Sequence, residues 1–170
     1  MLLTKQQKFL LAALEKLGCA ELRQLAALLQ KMFAFSSIGD AMRVTGACVR
    51  QMQMGDLLQI SDNIVSHCGE RAVSQQIEAI DVMLELSAAQ PESFYAVDRH
   101  ILLRFSLGGP SFKQFVIVSG SDPPPERELR QKETIIVLLP NGAKPEPSYA
   151  RPVIFAIRQE SGTHRFFARK

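Results

Sequence analysis

The sequence has no tryptophan, only three cysteines and no long apolar run. Cys19, Cys48 and Cys68 are an odd set with no CxxC spacing. That excludes a disulfide framework and a zinc finger of the usual ligand spacing, and leaves buried, reduced thiols as the expectation. His67 and Cys68 are adjacent, but two neighbouring ligands do not make a metal site. Too few consecutive apolar residues occur to cross a bilayer. Met1–Leu3 runs straight into Thr4 and Lys5, so no secretory leader is expected and the chain is expected in the cytoplasm. Charge of one sign is also scarce. The 20 basic and 17 acidic side chains leave a formal net charge of +3, too little for a large non-specific nucleic-acid surface. Any such binding must be local.

The chain is instead rich in packing material. Apolar residues make up 46% of 170 positions, enough for one large or two small cores. The period of these residues changes once. Up to about Gly69 it is helical, with a hairpin at the end. Thr4-Lys5-Gln6-Gln7 is a capping-box pattern, followed by Phe9, Leu10, Ala13, Leu14 and Leu17 at helical spacing and a stop at Gly18. A second helix is expected over about 20–32, with Leu22, Leu25, Ala26, Leu29, Met32 and Phe33 on one face.

The stretch from Ser36 to Ser66 is the most informative. On a helical wheel over Ile38–Met54, Ile38, Ala41, Met42, Thr45, Cys48, Val49 and Met52 form an apolar stripe. Arg43, Ala47, Arg50 and Met54 fall opposite it. Gly46 costs this helix roughly 1 kcal/mol relative to Ala, which leaves open a start nearer Thr45. Leu57–Ile60 and Ile64–Val65 then flank Ser61-Asp62-Asn63, a hairpin signal. Three helices followed by a hairpin is the order of a winged helix-turn-helix. In that arrangement a cationic helix enters the major groove and the hairpin lies along the backbone. Arg43 and Arg50 are the expected base or phosphate contacts, with Gln51 and Gln53 at the margins. Lys31 and Asn63 are expected to reach the backbone. Double-stranded DNA is the expected partner and 1–68 the expected domain.

Residues 69–170 are expected to form a second, α/β domain with a mixed sheet. A helix over Glu70–Ala89 ends before Gln90-Pro91. Phe94–Asp98, Ile101–Leu107, Phe112–Ser119, Thr134–Leu139, Pro152–Arg158 and Thr163–Ala168 read as strands. Val116–Val118 and Ile135–Leu139 are continuous apolar runs, expected of strands covered on both faces. Glu126–Lys132 reads as a short charged helix, and Pro140–Pro152 as a long loop. In the last 20 residues, five cations (Arg151, Arg158, Arg165, Arg169, Lys170) face one acid, Glu160.

This α-β-β-β-α-β order is shared with restriction-endonuclease-like domains. Their chemistry needs clustered carboxylates for a divalent metal and a lysine two residues after an acid. No lysine here follows an acid by two positions, and Phe112–Ser119 carries no carboxylate. Asp98 and Asp122 remain, expected to lie too far apart to share an ion. GxSxG, HExxH, GxxxxGK[ST] and GxGxxG are all absent. No catalytic residue, no metal and no cofactor are expected.

LTKQQKFLLAALEKLG, VRQMQMGDLLQI and FKQFVIVSG…TIIVLLPNG together resemble the replication-relaxation family of plasmid and integrative mobile elements, and related mobile-element proteins. The resemblance implies a winged helix followed by a degenerate restriction-endonuclease-like domain, an α+β protein overall. It also implies a non-enzymatic, DNA-binding role in plasmid replication, transfer or its regulation. The alternative is a protein-interaction module. In it the winged helix docks a protein partner of a replication or transfer complex, and the α/β half mediates homodimerisation or recruitment.

Overall fold

The computed structural model describes residues 2–67, 74–144 and 149–168. It is an α+β chain of two compact units, Met1–Ile77 and Glu78–Lys170. Its described elements are four α-helices, a three-stranded antiparallel sheet and a mixed six-stranded sheet. No helix among the described residues is long and apolar enough to cross a membrane.

The first unit holds α1 (Lys5–Leu17), β1 (Cys19–Glu21), α2 (Leu22–Phe33), α3 (Ile38–Met54), β2 (Leu58–Ser61) and β3 (Ile64–His67). The capping box forms as the sequence suggests. Thr4 Oγ1 accepts from the Gln7 N–H at 3.2 Å, and Gln7 Oε1 accepts from the Thr4 N–H at 2.9 Å. Gly18 ends α1 at φ 73°, its N–H bonded to the Leu14 carbonyl. Helix α3 begins at Ile38, not at Thr45. Ser37 caps it, its Oγ accepting from the Asp40 N–H at 3.0 Å, and this cap offsets part of the cost of Gly46. Leu14, Leu25, Leu29, Val49 and Met52 are all buried, as the three helical stripes require. Two residues are corrections to the expected stripes: Ile38, in the first turn of α3, is 48% exposed, and Met32, near the end of α2, is 52% exposed. A strand was also missed. Cys19–Glu21 is too short to show a period, and it pairs antiparallel with β3, giving the order β1-β3-β2.

Thr45 faces the core of this unit, where its hydroxyl meets no hydrogen-bond partner. A buried unpaired hydroxyl keeps its desolvation cost. Thr45→Val removes the oxygen and leaves helix propensity nearly unchanged. It is expected to stabilise the unit by ~1 kcal/mol, read as a higher denaturant midpoint at unchanged slope.

The second unit takes in most of α4 (Ser74–Leu86), then β4 (Ser93–Ala96), β5 (Ile101–Leu107), β6 (Lys113–Ser119), β7 (Glu133–Leu139), β8 (Val153–Arg158) and β9 (His164–Ala168). The strands lie in chain order, with β6-β7 and β7-β8 parallel and the other neighbours antiparallel. Val116–Val118 and Ile135–Leu139 are buried at every successive position, so both faces of β6 and β7 are covered. Glu126–Lys132 is not a helix. Only Glu126–Glu128 forms a 3₁₀ turn, because three prolines precede it and seven residues cannot repay helix nucleation. The expected helix start at Glu70 lies outside the described residues. So does Cys68, while Cys19 and Cys48 are buried thiols outside any disulfide.

Two polar clusters tie this unit together. Arg104 Nε on β5 reaches Glu133 Oε1 on β7 at 2.9 Å, both side chains nearly buried. The His164 imidazole, wholly buried at the start of β9, sits between two carboxylates of α4. Nδ1 lies 2.8 Å from Glu85 Oε1 and Nε2 3.3 Å from Glu78 Oε1. The His164 N–H donates to the other oxygen of Glu85 at 2.9 Å.

Candidate nucleic-acid interface

The outer face of α3 and the β2–β3 hairpin enclose a groove of about 310 Å³. Met42, Gly46 and Val49 line it from α3, together with Arg43 and Arg50. Ile60, Asn63 and Val65 line it from the hairpin, and Leu22 from the start of α2. The geometry follows from local sequence. Seven residues bring Arg43 and Arg50 back to one face, ~10 Å apart along the axis. Asp62 and Asn63 adopt left-handed φ values of 48° and 67°, which turn the hairpin tightly. The Asn63 carbonyl accepts from the Leu22 N–H at 3.0 Å, so the hairpin tip is held at the start of α2.

The two arginines are held differently. Arg43 Nη2 lies 3.3 Å from Asp40 Oδ1, and both side chains are solvent-exposed. Hydrogen bonds from Ser37 and Ser36 hold the Asp40 carboxyl below its ordinary range, with a further contribution from Arg43. Asp40 is therefore an anion that partly neutralises Arg43. Arg50 Nε donates to the Gly46 carbonyl at 3.2 Å, which lays its guanidinium along the helix over Gly46.

The groove thus gathers three of the six residues suggested by sequence: Arg43, Arg50 and Asn63. It does not include the other three. Gln51 is rotated by 100° from Arg50 and accepts from Gln7 Nε2 of α1 at 2.9 Å. Gln53 is exposed but lies outside the groove wall. Lys31 on α2 is half-buried, and burial lowers its ammonium pKa. Sequence reasoning missed the apolar walls, Leu22, Met42, Ile60 and Val65. The available signal was Gly46, a glycine mid-helix with no turn to make.

In the second unit, the two leftover acids both reach His100. Asp98 Oδ1 accepts from the N–H groups of His100 at 2.7 Å and Ile101 at 2.8 Å. Burial would raise the Asp98 pKa, but those two backbone bonds and nearby cations outweigh it and lower it. Asp122 Oδ2 lies 3.1 Å from His100 Nδ1, while His100 Nε2 accepts from Arg99 Nε at 3.0 Å. Nothing in their sequence separation foretold this meeting. Among the described residues, no group of three or more His, Cys, Asp or Glu side chains could hold a metal ion.

No family model, no curated protein and no solved structure matches this chain.

Proposed function

We propose that the chain is a non-enzymatic DNA-binding protein whose first unit acts as a winged helix-turn-helix, with α3 as reading helix and β2–β3 as wing. The observation that carries this reading is the convergence of Arg43, Arg50 and Asn63 on one groove. Two cations ~10 Å apart along one helix can reach phosphates or guanine edges in a single stretch of duplex. The mild net charge fits local rather than extended contact. The second unit, a mixed sheet with only a 3₁₀ turn where the expected second helix would lie, is read as a scaffold, and its reading as a degenerate restriction-endonuclease-like domain rests on the sequence resemblance alone. The setting we propose, from the sequence resemblance, is a cytoplasmic mobile-element protein acting in plasmid replication, transfer or its regulation.

The test is a titration of duplex DNA at several salt concentrations. If both arginines neutralise phosphates, Arg43→Ala/Arg50→Ala is expected to reduce the slope of log affinity against log salt by about two. If one reads a guanine, its loss is expected to cost ~1–3 kcal/mol at one position of a preferred site. Superimposable curves for the two proteins would remove α3 as the reader. Absence of wild-type binding at low salt would favour the second reading, a protein-interaction module. That reading rests on the apolar groove walls and on Met54, 80% exposed at the end of α3.

A further inference from the structure

The groove beside Gly46 has a chemistry that contact with a duplex leaves unused. Most of its lining side chains, Leu22, Met42, Val49, Ile60 and Val65, are apolar, with Asn63 and the two arginines as the polar ones. The one apolar group on the base edges of the major groove is the thymine methyl. A methyl is far smaller than the ≈310 Å³ available. That volume falls at the lower end of pockets that hold small organic ligands.

Gly46 is the second observation. Glycine inside a helix costs about 1 kcal/mol relative to alanine. Here a Cβ would meet nothing within 4 Å, so no neighbour in the fold demands glycine. The space left by the missing side chain is groove space. A glycine at this point of the helix leaves the backbone open to close approach from the groove.

Charge then selects the ligand. Arg43 faces Asp40 at 3.3 Å, which draws part of its charge away from the groove. Among the described residues Arg50 pairs with no carboxylate, and its Nε donates to the Gly46 carbonyl, which holds the guanidinium at the same level as the notch. One cation beside an apolar groove suits one anionic charge on an apolar body.

We propose that this groove is a binding site for a small organic monoanion, a medium-chain or aromatic carboxylate. The apolar body lies over Gly46 between Val49 and Ile60, and the carboxylate pairs with Arg50. The site goes beyond the DNA reading and does not rest on it. The two are connected through Arg50, so ligand and duplex compete for one side chain.

The probe is octanoate, titrated into the full chain without DNA and followed by amide chemical shifts, with octan-1-ol as the neutral match. Octanoate is expected to bind saturably, to move the signals of Met42, Gly46, Val49 and Ile60, and to bind about tenfold or more tighter than octan-1-ol, the difference being the charge-assisted pair. Arg50→Gln is expected to bring octanoate down to the level of octan-1-ol. Gly46→Leu, whose side chain grows into the notch, is expected to abolish binding of both, with circular dichroism verifying the helix. If that variant loses its helix, the Arg50→Gln comparison decides alone. Equal affinity of wild type for octanoate and octan-1-ol overturns the proposal. So does octanoate binding that survives in a folded Gly46→Leu chain, and so does the lack of saturable binding at millimolar octanoate.

Discussion

His164→Ala is expected to destabilise the second unit by ~3–5 kcal/mol, the usual consequence of removing one partner from a buried ion pair. The substitution leaves Glu78 and Glu85 facing each other across a cavity, with no cation between them. Their side chains are 21% and 26% exposed, so water screens them only partly. His164→Gln keeps most of the volume and a donor, and is expected to lose less. The comparison separates charge from packing. The same site predicts a pH dependence. Burial alone would depress the imidazole pKa, but the hydrogen bonds and charges of Glu78 and Glu85 outweigh it and raise it above 6.5. A group whose pKa is higher folded than unfolded stabilises the fold fully below its unfolded value. That stabilisation is lost as pH rises through the folded value. The wild-type denaturant midpoint is therefore expected to fall as pH climbs from about 6.5, and the His164→Gln midpoint to stay flat over the same window. Parallel pH profiles would mean that the imidazole has the same pKa in the folded and unfolded chain, and a wild-type midpoint that rises with pH would mean that it is neutral when folded.

The second large effect is expected in the first unit. Leu25 is 0% exposed on α2, in a core shared with Leu14, Leu29, Val49 and Met52. Leu25→Ala is expected to cost ~2–5 kcal/mol, from lost burial plus the cavity left behind. Domains are commonly stable by only ~5–15 kcal/mol, so this one change takes a large share. Leu2, 99% exposed, is the control, and Leu2→Ala is expected to leave the denaturant midpoint unchanged. If the two variants unfold alike, the three-helix packing is wrong.

How far the sequence foretells this chain depends on the range of each interaction. Caps and stripes are local. Thr4 with Gln7, Gly18, and the Arg43–Arg50 pair seven residues apart could therefore be read directly. Asn63 was reachable because Asp-Asn between two apolar runs is turn chemistry. The apolar side of the groove was not, because Leu22, Gly46 and Val65 are brought together by packing and share no period. Glu126–Lys132 looked helical by charge alone, but too few residues and the prolines before them prevail. The His164 cluster spans 79 and 86 positions to Glu85 and Glu78, beyond any motif window. Strand existence was legible from apolar runs. The parallel pairing of β6, β7 and β8 was not, because it depends on crossovers whose path no local signal sets.

Glu85 has one more consequence. Strand β9 closes one side of the six-stranded sheet, and a terminal strand offers unspent main-chain groups to any strand that drifts against it. At His164 the amide proton is already taken by a carboxylate. An incoming strand would have to evict that carboxylate and leave it beside a buried imidazole. Substituting Glu85 thus does more than weaken a helix contact, since it uncovers the first rung of a ladder on which a second molecule could climb. The residue that fastens α4 to the sheet also occupies one main-chain donor on that rim.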